Sequence, residues 1–113
     1  MKLLRVGKLG SEVVAALDNN NVIRDLSGHI KDLNPQTING ETLNKLKSIK
    51  LSELQEINSN IRIGACISNP VDFLAIGLNY KAHAEGTKSK LPTEPIVFNK
   101  SCGCIQGLSL IHI

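Results

Sequence analysis

The sequence has no tryptophan, one tyrosine and two phenylalanines among its 113 residues. A core with so few rings must be built from isoleucine, leucine and valine. No aromatic residue precedes Phe73, so the first part of the chain offers no ring on which a nucleobase could stack. Charge is equally unspecialised. Thirteen lysines and arginines stand against ten aspartates and glutamates, for a net charge of +3, and the lysines are scattered. A nucleic-acid footprint would cluster them, so that class of partner is excluded. The three cysteines are odd in number, which argues against a secreted disulfide framework. Cys102-Gly103-Cys104 is too tightly spaced for a C-x-x-C redox or zinc motif and Cys66 is remote, so all three read as free thiols. No apolar run approaches the roughly 18 residues a membrane span needs. Met1-Lys2 leads into a short strand-like run broken at Gly7, which is not a signal peptide. Repeats and low-complexity segments are absent. These absences together predict a soluble, cytoplasmic protein with no nucleic-acid and no membrane partner.

What is present suits an ordinary globular chain. Hydrophobic residues make up 42%, too many for compositional disorder. The length fits one domain, or a small domain plus part of a second. Leu3–Val6, Glu12–Leu17 and Val22–Leu26 read as three strands of an antiparallel meander, with Asp18-Asn19-Asn20-Asn21 a turn between the second and third. Asn39-Gly40-Glu41-Thr42 marks a helix start, with Asn39 or Thr42 as N-cap. Leu43, Leu46 and Ile49 then give that helix one apolar face. Ser52 and Gln55 have capping-box spacing and predict a second short helical turn. Ile61–Gly64 alternates as a strand leading into the next domain, with the boundary near Asn69-Pro70. The predicted class is mainly β with short helices, α+β. It comprises a small N-terminal antiparallel domain over residues 1–69 and the first strands of another domain over residues 70–107.

Chemistry concentrates between Val71 and Lys100. Phe73–Ile76 is a short apolar run ended by Gly77, which reads as a buried strand. Asn79, Tyr80, His83 and Glu85 follow within seven residues, on what reads as a polar loop. Pro92 and Pro95 break the pattern, and Ile96–Phe98 begins another strand that delivers Lys100. Two strands flanking a loop with a histidine and a carboxylate are a reasonable catalytic scaffold. Imidazole ordinarily titrates near about pH 6.5, so His83 is the first candidate for proton transfer; the bland alternative is a solvated loop histidine. Glu85 is the candidate partner, or else a solvated carboxylate. Lys100 could hold a substrate carboxylate or a developing enolate. Asn79 and Tyr80 could donate hydrogen bonds to the same ligand, although Tyr80 would equally serve as a half-buried ring. Glu94, fixed in extended backbone by Pro95, shapes the loop. His29 reads as structural.

The stretch resembles the fumarylacetoacetate hydrolase family: GLNYKAH is similar to G-x-N-Y-x-x-H, and EPIVFNK to E-P-x-x-F-x-K. The opening MKLLRVGKLGSEVVAALDNNNVIRDLSGHIKDL looks like the small N-terminal domain of many bacterial members. The resemblance runs to about residue 107 and implies that residues 70–107 begin a β-roll catalytic domain that is truncated here, with residues 108–113, including His112, an off-family tail. It implies a metal-dependent enzyme acting on 2-oxo acids or 1,3-dicarbonyl compounds by carbon–carbon bond hydrolysis. Lyase, hydratase and decarboxylase variants such as ureidoglycolate lyase belong to the same expectation. His83 and Glu85 would be catalytic, and Asn79, Tyr80 and Lys100 would bind substrate. The family pattern usually places a glutamate three residues after the histidine and often two as well; this chain has Gly86 at three, leaving only Glu85 at two. The resemblance further implies Mg2+ or Mn2+ held by a Glu-x-Glu pair and a later Asp, none of which lies in this chain, and a homodimer at full length. The chain alone is then expected to be inactive. The rival expectation is a small non-enzymatic binding module.

Overall fold

A computed structural model describes residues 1–107, so the expected tail at residues 108–113 lies outside the described residues. The chain divides into two compact units, Met1–Pro70 joined by the stretch from Ile105, and Val71–Cys104. Elements are mainly antiparallel strands with two short helices.

The first unit is a four-stranded antiparallel sheet in sequence order, β1 Lys2–Val6, β2 Val13–Leu17, β3 Ile23–Asp25 and β4 Glu56–Ile57. Register pairs Leu4 with Ala15 and Leu17 with Ile23. Asp18 shapes the β2–β3 turn: its Oδ1 accepts from the N–H groups of Asn20 at 2.8 Å and Val22 at 2.9 Å. Asn21 takes the left-handed backbone at φ 60°, which asparagine tolerates better than most residues. Both faces of the sheet are covered. On one, Val14 and Ala16 pack with Leu26, Ile30, Leu33 and Leu46. On the other, Val6, Ala15 and Ile23 meet Leu4, Leu17, Ile57 and Ile61. Alternation along β2 therefore serves two apolar layers at once, which is why VVAAL carries no polar residue.

Helix α1, Gly40–Lys47, covers the first face with Leu46 buried and Ile49 packed just beyond its end. Asn39 is its N-cap, accepting at Oδ1 from the Thr42 N–H at 2.9 Å; Thr42 lies inside the helix. The capping box expected at Ser52 does not form. A single 3-10 turn spans Leu51–Glu53, and its N-cap Lys50 makes no side-chain capping bond. Leu51 and Leu54 pack on the core, so the turn is set by burial of these leucines. Strand β4 has no sequence signal of its own, being two residues held by Arg24 and Ile23.

Ile61–Gly64 is not a strand leading onward. It lies along the edge of β1, with an isolated bridge from Val6 to Ile63 and bonds from Gly7 N–H to Arg62 O at 2.9 Å and Gly64 N–H to Arg5 O at 2.8 Å. Charges fix it there. Arg62 donates to Glu12 at 2.7 Å; Arg5 Nε donates to Asp32 Oδ1 at 2.7 Å, and Ser68 Oγ donates to Asp32 Oδ2 at 2.6 Å. The Arg62 guanidinium holds the Glu12 carboxyl below the usual carboxylate range against the opposing effect of burial. For Asp32, burial pushes upward, but donors from Ser68, Arg5 and Leu33 outweigh it and the net shift is downward.

Candidate active site

Within the second unit, β5 Leu74–Gly77 pairs antiparallel with β6 Ile96–Asn99. The expected strand is present, but it is not buried. Leu74 is 61% exposed, Ile76 44%, Val97 56% and Phe98 45%. A two-stranded ribbon has no second layer to bury either face, and such a ribbon alone is marginal in water.

After Gly77 the backbone turns sharply. Leu78 sits at φ 48°, a left-handed conformation that costs a non-glycine residue about 1 kcal/mol or more. The expected loop then contains a helix, α2, Lys81–Gly86. Tyr80 is its N-cap, accepting at its carbonyl from His83 N–H at 3.0 Å and Ala84 N–H at 3.2 Å. Thr87 closes the other end, donating from N–H to the His83 carbonyl at 3.0 Å and from Oγ1 at 2.9 Å. Ala84 alone of the helix is buried, which anchors one side and turns His83 and Glu85 outward.

The helix decides which candidates meet. Residues two apart lie roughly 200° apart around a helix, so His83 and Glu85 do not face each other. Glu85 Oε1 instead lies 3.7 Å from Lys81 Nζ, one turn back. The His83 imidazole is exposed and has no side-chain partner among the described residues. Asn79 and Tyr80 are exposed beside it, Tyr80 at 74%. Lys100 stands elsewhere. Its N–H donates to the Phe73 carbonyl at 2.7 Å, and its Nζ lies over the Phe98 ring, 5.8 Å from the centroid. That places its backbone at the far end of the ribbon from Gly77, roughly 13 Å away at the rise of a strand.

Between the end of β5 and the Leu91–Pro95 segment opens a cleft of about 340 Å3, lined in part by Asn79, Lys81, Thr93 and Glu94. Asn79 is the one sequence candidate that lines it. Lys81 and Thr93 carry no motif signal and were invisible in the sequence; only the helical turn brings Lys81 to the cleft. Among the described residues no group of three or more His, Cys, Asp or Glu could hold a metal ion. The magnesium or manganese implied by the resemblance therefore has no fitting ligand set among the described residues. Cys66, Cys102 and Cys104 are free thiols.

The chain is similar to proteins named as hydrolases. It is 41% identical over 107 residues to a protein of Burkholderia ambifaria named "Putative hydrolase". Similarly named proteins of Burkholderia lata and Burkholderia multivorans are 40% and 39% identical over the same length. The matches take in 95% of this chain but 38% of each relative, so the chain spans well under half the length of the curated relatives it matches. No protein-family model matches the chain. No helix among the described residues is long and apolar enough to cross a membrane.

Proposed function

We propose that this chain is part of a hydrolase of the fumarylacetoacetate hydrolase type, acting on 2-oxo acids or 1,3-dicarbonyl compounds. The observation that carries the reading is the GLNYKAH segment. It begins at the last residue of β5, passes through the strained Leu78, and presents from a short helix the His83 imidazole, which has no side-chain partner among the described residues. Likeness to the Burkholderia proteins over 95% of the chain supports the hydrolytic class.

In this reading His83 takes a proton from water, and the water oxygen bonds to the substrate carbonyl carbon. The carbon–carbon bond then breaks, leaving its electron pair on the neighbouring carbon as an enolate, which is reprotonated from the imidazolium. Asn79 orients the substrate by hydrogen bonding, with Tyr80 beside it. Lys81, sharing the cleft with Asn79, is the cation best placed for a substrate carboxylate; Lys100 would contribute only from the other end of the ribbon. Glu85, engaged by Lys81, would reach His83 only by a local shift of the helix, and so supports it less than a glutamate one helical step further on would. A metal would supply charge stabilisation to the enolate in the whole enzyme, with ligands from outside the described residues. Homodimer formation, cytoplasmic location and a lyase variant such as ureidoglycolate lyase belong to the same proposal.

The test replaces the matching 107 residues of the Burkholderia ambifaria protein with this chain and assays acylpyruvate and oxaloacetate turnover. His83→Ala in that chimera should lower turnover roughly a hundred- to ten-thousand-fold, the usual cost of losing a general base. Glu85→Gln should cost far less. Unchanged turnover in His83→Ala would refute the assignment.

A further inference from the structure

A second cleft lies wholly in the first unit, in a part of the chain that holds none of the candidate catalytic residues. It encloses about 600 Å3 between the β2–β3 turn and the chain that leaves α1, inside the range of roughly 300–1,000 Å3 typical of small-molecule sites. Leu17, Ile49 and Leu51 line it. Each is half-buried, packed against the core and still presenting apolar surface. Lys47 and Lys50 line the same cleft.

The charges around it are unequal. Asp18, the one carboxylate in the lining, is already engaged by Asn20 N–H, Val22 N–H and the Arg24 guanidinium at 3.0 Å. Its negative charge is thus satisfied, and it holds the wall rigid. Lys50 pairs with the exposed Glu53, a contact of the kind worth little in water and easily exchanged. Lys47 has no ion pair among the described residues. An apolar lining under an unneutralised ammonium complements a molecule with an aliphatic body and an anionic head.

We infer that this cleft, formed by Leu17, Ile49 and Leu51 beneath Lys47 and Lys50, binds small aliphatic carboxylates. The inference does not rest on the proposed hydrolase reading and would stand if that reading failed. The aliphatic body displaces water from Leu17, Ile49 and Leu51, with Met1 also in the lining, and the carboxylate exchanges Glu53 for itself at Lys50 while meeting Lys47.

Titration of the isotope-labelled chain with sodium hexanoate, followed by amide chemical shifts, tests it. Saturable shifts should appear at Leu17, Ile49, Lys50 and Leu51 in the millimolar range. Hexylammonium chloride, equal in length but opposite in charge, should bind at least about fivefold more weakly. Lys47→Glu should weaken hexanoate roughly fivefold to tenfold, the scale of one surface charge contact removed and reversed. Lys45→Glu makes the same charge change on the same helix outside the cleft, and should leave affinity within about twofold. Retained thermal transitions in both variants would show that folding is not the cause. Equal binding of the two probes, equal effects of the two substitutions, or shifts confined to the exposed β5–β6 ribbon would each overturn the inference.

Discussion

Replacing Asp32 by alanine should loosen the first unit far more than its modest exposure suggests. Its carboxylate accepts from Arg5 Nε at 2.7 Å, Leu33 N–H at 2.8 Å and Ser68 Oγ at 2.6 Å. The Arg5 side chain is only 11% exposed. Without Asp32 that guanidinium keeps the Ala65 carbonyl at 3.3 Å and Glu12 at 3.6 Å, contacts too long to replace what is lost. A hydrogen bond to a charged group contributes about 1.5–3 kcal/mol net. Partial solvent access at Asp32 and the residual Glu12 contact reduce the sum over three bonds, leaving a loss of about 2–3 kcal/mol. The assay must be far-UV circular dichroism in urea, because the chain has no tryptophan and its one tyrosine lies in the second unit. At a slope of about 1–1.5 kcal/mol per molar urea the midpoint should fall by roughly 2 M. Glu41→Gln, which breaks the fully exposed Lys45–Glu41 pair, is the control and should change little. A loss at Asp32 no larger than that of the control would show that the Arg5–Asp32–Ser68 contacts do not hold the 62–68 segment to β1.

Acid should destabilise the first unit through the same groups. Glu12, Asp18 and Asp32 all have folded-state values below the usual carboxylate range, so between the folded and unfolded values the unfolded chain binds more protons. Their contribution is whole above about pH 4–5 and is lost as pH falls through the depressed values, which urea midpoints between pH 7 and pH 3 would reveal as a decline. Leu33→Ala, at a site 2% exposed, should cost about 2–5 kcal/mol by cavity formation, read as a lowered thermal midpoint. Asn39→Ala should cost about 1 kcal/mol through loss of the cap on Thr42. The β5–β6 ribbon should bind an apolar dye, and Phe98→Ser should reduce the signal; a dye-silent chain would contradict the exposure of Val97 and Phe98.

Legibility in the sequence followed the range of the interactions. The meander, the Asp18 turn and the Asn39 cap were readable because alternation and capping are local. What failed was set at a distance. Strand β4 exists because β3 presents an edge, and Ile61–Gly64 attaches to β1 through Arg62, Glu12 and Arg5, fifty or more residues apart in pairs such as Arg62–Glu12. Phe73–Ile76 has the composition of a buried strand, yet burial is a property of the layers around it, and among the described residues β6 is the one strand that pairs with β5. Residues of the candidate site were visible as types, but their grouping was not. Whether His83 and Glu85 share a face depends on α2 being helical, and KAHAEG, with a glycine and no capping side chain, gives little helix signal.

The two units divide stability and proposed chemistry between them. Among the described residues, nine of the ten buried apolar side chains belong to the first unit and the tenth is Ala84, whereas every candidate catalytic residue stands on the thinly covered ribbon and its helix. General-base catalysis gains most where water is excluded and the base is held against its partner. His83 has neither condition among the described residues: it is exposed, and Glu85 is drawn to Lys81. The strain at Leu78 points the same way. A leucine in left-handed backbone persists only where surrounding contacts over-determine it, and the ribbon alone supplies few. The proposed activity therefore requires further protein surface over Leu74, Ile76, Val97 and Phe98, which would wall the site, dry it and fix the turn at Leu78. That requirement is why the chimera with the longer relative, rather than the 113-residue chain, is the setting in which His83 must be judged.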